Sequence, residues 1–198
     1  MTKMKIKIDV RERELIPIIQ NLNEEEKKPI TIEVENLPLG DIIICEENEK
    51  TGEITEHIII ERKKVSDLAA SITDGRYNEQ SYRLDKIEHP NHNIVYLIEG
   101  RIDTFNSRYS RITPTALYTS LTTINYFKGF SVWRSLSMQE TAVMIIRSAS
   151  KIGKMDDPDG YYSDSIVVCE EVDENEKKRP KKNRIKKPKR IFLSIFLQ

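Results

Sequence analysis

The chain has 198 residues and a mass of 23.1 kDa, 38% hydrophobic and 32% charged, which suits one modest core with a tail. No apolar run approaches the length needed to cross a bilayer, and the opening Met-Thr-Lys-Met-Lys-Ile-Lys-Ile lacks the apolar block of a signal peptide. Cys45 and Cys169 are too few and too far apart for a disulfide scaffold or a structural zinc site, so a reducing, intracellular setting is expected. The net charge of zero hides a split: residues 1–176 carry −10, and ten Lys and Arg between Lys177 and Arg190 carry +10. A basic tail on an acidic body suggests a polyanionic partner or a nuclear-import signal.

Residues 4–10 alternate as a strand, with Ile6, Ile8 and Val10 on one face. Leu15, Ile18, Ile19 and Leu22 then stand at helical spacing, with Pro17 in the first turn. Residues 30–35 alternate again. Leu39-Gly40-Asp41 turns into a strand at Ile42–Cys45, and a further strand ends in Ile58-Ile59-Ile60-Glu61. Three β-branched residues in succession predict a strand covered on both faces. Val65, Leu68, Ala69 and Ile72 form the stripe of an amphipathic helix that Gly75 breaks, and a second helix runs from about Arg76 to Ile87.

Asn93 to Ile98 reads as an apolar strand. Pro114, behind a Thr113 cap, opens a helix with Leu117, Leu121 and Ile124 inward. Phe130 to Trp133 is a short strand, and Ser137-Met138-Gln139-Glu140 is a capping box before a helix that buries Ala142, Ile145, Ile146 and Ala149. This order predicts an α/β fold, a central mixed sheet flanked by helices. Three segments are expected: a domain over 1–155, an acidic linker over 156–176 with one strand at Ile166–Cys169, and a disordered basic tail over 177–198.

The densest chemical signal is Gly40-Asp41 followed by Glu61-Arg62-Lys63 and Asp67. Asp41 opens one strand and Glu61 closes the next, so a hairpin brings the two carboxylates to one end of the sheet. Two such carboxylates repel unless a cation neutralises them, and hard oxygen donors with room for water and phosphate suit magnesium or manganese. Lys63 would add an ammonium able to hold a water or steady charge on a phosphate. A solvated charge run is the usual reading of Glu-Arg-Lys-Lys, but the upstream Gly-Asp and the spaced Asp67 are specific. Arg76, Gln80 and Arg83 share one polar face of the helix after Gly75 and are candidates for tracking phosphates, or else form a solvent face with surface ion pairs. His57, His89 and His92 show no metal spacing, and Cys45 and Trp133 read as interior packing.

These residues resemble the XPF/MUS family of structure-selective DNA endonucleases, whose signature is Gly-Asp…Glu-Arg-Lys-x-x-x-Asp. The resemblance continues through Asp67–Gln80, Arg83-Leu84 and Val95–Glu99, and Thr123–Phe130 is similar to the crossover-junction branch. It covers about residues 5–153. It implies a restriction-endonuclease-like core and a Mg2+-dependent (or Mn2+-dependent) endonuclease acting on branched or flapped DNA in repair, recombination or replication. Asp41, Glu61 and the backbone carbonyl of Arg62 would be metal ligands, Lys63 would contact water or the scissile phosphate, and Asp67 would support the site. Asp9 and Glu12 would match the first acidic pair, assisting a second metal or positioning water in catalysis, and Arg76 would support the active site.

The family's cellular members carry tandem helix-hairpin-helix modules and pair with an inactive paralogue. No such hairpins are legible after residue 155, so a homodimer, a heterodimer with a paralogous subunit, or a tail standing in for the modules is expected. A noncatalytic DNA-binding or scaffold subunit is the alternative. The full set Asp9, Glu12, Asp41, Glu61, Lys63 and Asp67 favours the enzyme.

Overall fold

In a computed structural model, the described residues are 2–155 together with Pro158, Gly160 and Tyr162. The linker strand expected at Ile166–Cys169 and the basic tail lie outside the described residues. Six strands form one sheet in the order β2-β1-β3-β4-β5-β6. They are β1 (Thr2–Asp9), β2 (Thr31–Glu35), β3 (Ile42–Asn48), β4 (Ile54–Lys64), β5 (Ile94–Glu99) and β6 (Ser131–Ser135). β3 is antiparallel to both its neighbours, and the remaining pairings are parallel. The expected mixed sheet is therefore present, and among the described residues no helix is long and apolar enough to cross a membrane.

Strand alternation sends successive side chains to opposite faces, and each face is covered by its own helices. Ile43, Ile59, Tyr96 and Ile98 pack with α2 (Val65–Asp74), α3 (Arg76–Asp85) and α4 (Pro114–Thr122). Ile6, Ile8, Ile42, Ile60 and Leu97 pack with α1 (Leu15–Glu24) and α5 (Met138–Ile152). The Ile58–Ile60 run lies in the central strand β4, as three β-branched residues in a row require. Both capping predictions hold: Thr113 accepts from the Ala116 N–H and Ser137 from the Glu140 N–H, each at 3.2 Å.

Three elements differ from the sequence reading. β4 continues past Glu61 to Lys64, because β5 pairs beside it in parallel up to Lys64 against Glu99. The Glu-Arg-Lys-Lys run is thus a strand end rather than a solvated loop. Opposite β3, the register shifts between Ile44 and Cys45, and His57 stands unpaired in the resulting bulge. After α4 the chain widens into a π turn at Thr123–Phe127, which leaves Tyr126 and Phe127 78% and 74% exposed.

Candidate active site

The C-terminal ends of β1, β4 and β5 and the start of β3 meet at one rim of the sheet. Gly40 sets the entry to β3. Its φ is +74°, and a Cβ there would lie 2.8 Å from Ile59 Cγ2 and 3.3 Å from the Ile60 carbonyl, so glycine permits the close approach. That approach lets the Asp41 N–H donate to the Ile60 carbonyl at 2.8 Å, which places Asp41 beside Glu61. The Arg62 N–H then donates to Asp41 Oδ2 at 2.8 Å. In a strand a residue's N–H and C=O point to the same side, so the Arg62 carbonyl lies along this same edge, past the end of β3.

Asp41, Glu61 and Lys63 face the α2–α4 side. Glu61 is only 6% exposed and accepts from Lys63 Nζ at 2.9 Å. Burial, then the charge of Glu61, pushes the Asp41 carboxyl up to about 7, against the pull of the Arg62 N–H. Two adjacent carboxylates, one of them resisting ionisation, have Lys63 against Glu61 at 2.9 Å and, more distantly, Arg11 Nη2 at 4.0 Å from Asp41 Oδ1. Tyr96 pairs in register with Glu61 from β5, and its buried hydroxyl has no hydrogen-bond partner among the described residues.

Arg62 points to the opposite face. Its Nη1 donates to Glu12 at 2.8 Å, and its Nε and Nη2 form a fork on Glu99 at 3.1 and 2.8 Å. Glu99 Oε2 also accepts from the Thr141 hydroxyl at 2.8 Å, and Thr141 Oγ1 meets Ser135 Oγ at 2.7 Å. Burial raises the Glu12 pKa despite Arg62. The guanidinium is thus a buried foundation for the strand end, in addition to the main-chain role expected from the sequence.

The other expected residues divide. Asp9 is 1% exposed, and both its oxygens are engaged: Oδ1 by the Arg11 N–H and Nε, Oδ2 by Arg11 Nη2 and the Leu37 N–H. The Arg11 guanidinium leads in holding its carboxyl down at about 2. Asp9 anchors the loop that precedes Asp41. Arg83 donates to the Pro38 carbonyl at 3.2 Å, so it grips the same loop from α3. Asp67 is exposed in the first turn of α2, bonded to Ser66 Oγ at 3.3 Å rather than to the rim. Arg76 is exposed and paired with Asp74 at 2.7 Å, and Gln80 is half-buried, its Oε1 without a hydrogen-bond partner among the described residues.

Sequence reasoning missed the roles of Glu99, Thr141, Ser135 and Arg11. Glu99 had a legible signal: it closes an apolar strand as Glu61 does. Thr141 and Ser135 had none, since only the fold brings the first turn of α5 to the end of β5.

The donor chemistry fits a hard divalent ion. Among the described residues no three His, Cys, Asp or Glu side chains converge as a ready metal cluster. Mg2+, however, needs only one or two carboxylates beside water and phosphate oxygens. Asp41 and Glu61 would supply those carboxylates and the Arg62 carbonyl would add a third donor, while both oxygens of Asp9 are already engaged by Arg11 and the Leu37 N–H. A cleft of about 760 Å3 lies at the other end of the sheet, between the start of β1 and the end of α5. It holds none of these residues.

A mixed sheet with such a carboxylate and lysine rim defines an α/β domain of the nuclease fold. Residues 8–147 match the ERCC4 domain, and the chain belongs to that family, one of metal-dependent nucleases. It is 36% identical over 141 residues to the Dictyostelium discoideum protein named "Probable crossover junction endonuclease mus81", covering 65% of this chain and 15% of that one. It is 32% identical over 124 residues to the crossover junction endonuclease MUS81 of Oryza sativa (62% and 17% covered). It is 30% identical over 130 residues to the structure-specific endonuclease subunit MUS81 of Homo sapiens (63% and 23% covered). The chain therefore spans less than a quarter of the length of these relatives. The solved XPF from Aeropyrum pernix shares the fold at a TM-score of 0.56 and 24% identity, over 77% of this chain and 62% of that one. The same protein in complex with DNA gives 0.55 at 24% identity, over 76% and 65%.

Proposed function

We propose that residues 1–155 form the nuclease unit of a structure-selective DNA endonuclease that hydrolyses phosphodiester bonds in branched or flapped DNA. The observation that carries this reading is the convergence of Asp41, Glu61 and Lys63 on one rim, with the Arg62 main chain fixed against Asp41. Family membership and the names of its relatives support it. Mg2+ is the proposed ion, with Mn2+ an acceptable substitute, held by Asp41, Glu61 and the Arg62 carbonyl. When bound, such an ion polarises a phosphate oxygen and eases ionisation of water.

The chain's own residues complete the chemistry. Lys63 releases Glu61 and donates to a non-bridging phosphate oxygen, where charge grows during in-line attack. Cleavage leaves a five-prime phosphate and a three-prime hydroxyl. Asp9 and Arg83 hold the Asp41 loop in place, and Arg76 and Gln80 lie on the helix that follows, positioned for the DNA backbone. A second copy or a paralogous subunit is the proposed partner. The basic residues 177–190 add phosphate affinity by counterion release or direct import to the nucleus.

The test is a nicking assay on flap, fork, nicked-junction and plain duplex DNA, with magnesium and with calcium. Nicking of branched DNA in magnesium, lost in Glu61→Gln, is the expected result. Wild-type cleavage by Glu61→Gln refutes the ligand assignment, and fork binding without any nicking points to a scaffold subunit.

A further inference from the structure

Glu61, Arg62 and Lys63 are consecutive in sequence, but the groups that hold Arg62 come from other elements of the fold. Arg62 presents its guanidinium to two acids. Glu12 takes one N–H, whereas Glu99 takes two in a fork and is itself held by a third donor, Thr141. An ionised Glu99 can only accept, so the Thr141 proton points to it, and Ser135 must donate to Thr141. The result is a chain of hydrogen bonds, Ser135 to Thr141 to Glu99, that meets the donating guanidinium at the Glu99 carboxylate. Thr141 is fully buried, and Ser135 and Glu99 are nearly so, which strengthens each bond and leaves each no water to turn to.

We propose that Glu99 and Thr141 are positioning residues of the rim, acting through the Arg62 guanidinium to fix the main chain of Glu61–Lys63 against Asp41. Arg62 alternates with Glu61 and Lys63 on β4, so a tilt of its side chain twists the peptide planes on either side of it. Those planes carry the N–H that holds Asp41 Oδ2 and the carbonyl that would serve as a ligand in the proposed site. The helix cap contributes as well. Ser137 accepts from the Glu140 N–H, while the Glu140 carboxylate accepts from the Leu136 N–H, so the first turn of α5 and its Thr141 are pinned at the end of β6. The role rests on the rim being the divalent-ion and phosphate site proposed above.

Thr141→Val removes the hydroxyl at nearly constant volume, and Thr141→Ser keeps it. Mn2+ binding to the full chain, followed by electron paramagnetic resonance without DNA, gives a readout independent of turnover. Thr141→Val is expected to weaken Mn2+ binding about tenfold and to lower kcat on flap DNA by about 10–100-fold with KM unchanged, as loss of an outer support does. Thr141→Ser restores both, and Glu99→Gln reproduces the defect should Thr141→Val fold poorly. Unchanged Mn2+ affinity and kcat in Thr141→Val and Glu99→Gln, with only the melting temperature lowered, overturn the positioning role. A wild-type chain that binds no Mn2+ overturns the underlying reading of the rim instead.

Discussion

Replacing Asp41 by Asn should stabilise the metal-free protein while abolishing its response to divalent ions. Burial and the neighbouring Glu61 push the folded Asp41 carboxyl up to about 7, whereas in the unfolded chain it ionises near 3.9. Because the folded value is the higher, the unfolded state releases its proton first. Stability is then greatest below about pH 4, falls as pH rises, and levels off above about pH 7. The gap corresponds to at most roughly 4 kcal/mol near pH 8. The amide of Asn loses water of its own on burial, so a net gain of about 2 kcal/mol is the working figure.

For a domain of this size that is a rise of roughly 4–8 °C in melting temperature. The Arg62 N–H keeps an acceptor in the Asn carbonyl, so the loop geometry survives. Melts followed by the fluorescence of Trp133, the single tryptophan, in chelator near pH 8 and near pH 5 give the comparison. The gain should shrink near pH 5, where folded wild-type Asp41 is already protonated, and millimolar Mg2+ should raise the wild-type melt alone. A variant less stable than wild type near pH 8, or one equally favoured at both pH values, refutes the argument from repulsion and burial.

Arg62→Met leaves Glu12 and Glu99 buried without their shared cation and should cost about 3–5 kcal/mol in urea unfolding, part of which Glu99→Gln added to it recovers. Gly40→Ala forces a side chain into the left-handed region against Ile59 and should cost about 1–3 kcal/mol, with nicking reduced more than DNA binding. Asp9, held down at about 2 by Arg11, contributes roughly 2 kcal/mol that is fully present above about pH 4 and is lost as pH falls through about 2. Asp9→Asn should flatten that part of an acid-denaturation curve.

Local periodicity and turn chemistry determined most of this protein's elements, because alternating isoleucines, a Pro behind Thr113 and a capping Ser137 act over a few residues. The pairing of Asp41 with Glu61 was legible too, since one hairpin separates them. What the sequence could not convey was which face each rim side chain takes and what stands behind it. Glu61 and Lys63 turn to one layer and Arg62 to the other, because β4 stays in register with β5 through Lys64. Asp9 is a loop anchor rather than a free ligand, because the fold delivers Arg11 and the Leu37 N–H to its oxygens. Glu99, Thr141 and Ser135 join Arg62 only when β5 and β6 end, and α5 begins, at one place. Sequence spacing fixes neighbours along an element; the contacts between elements, which tune charge and hold geometry, belong to tertiary packing.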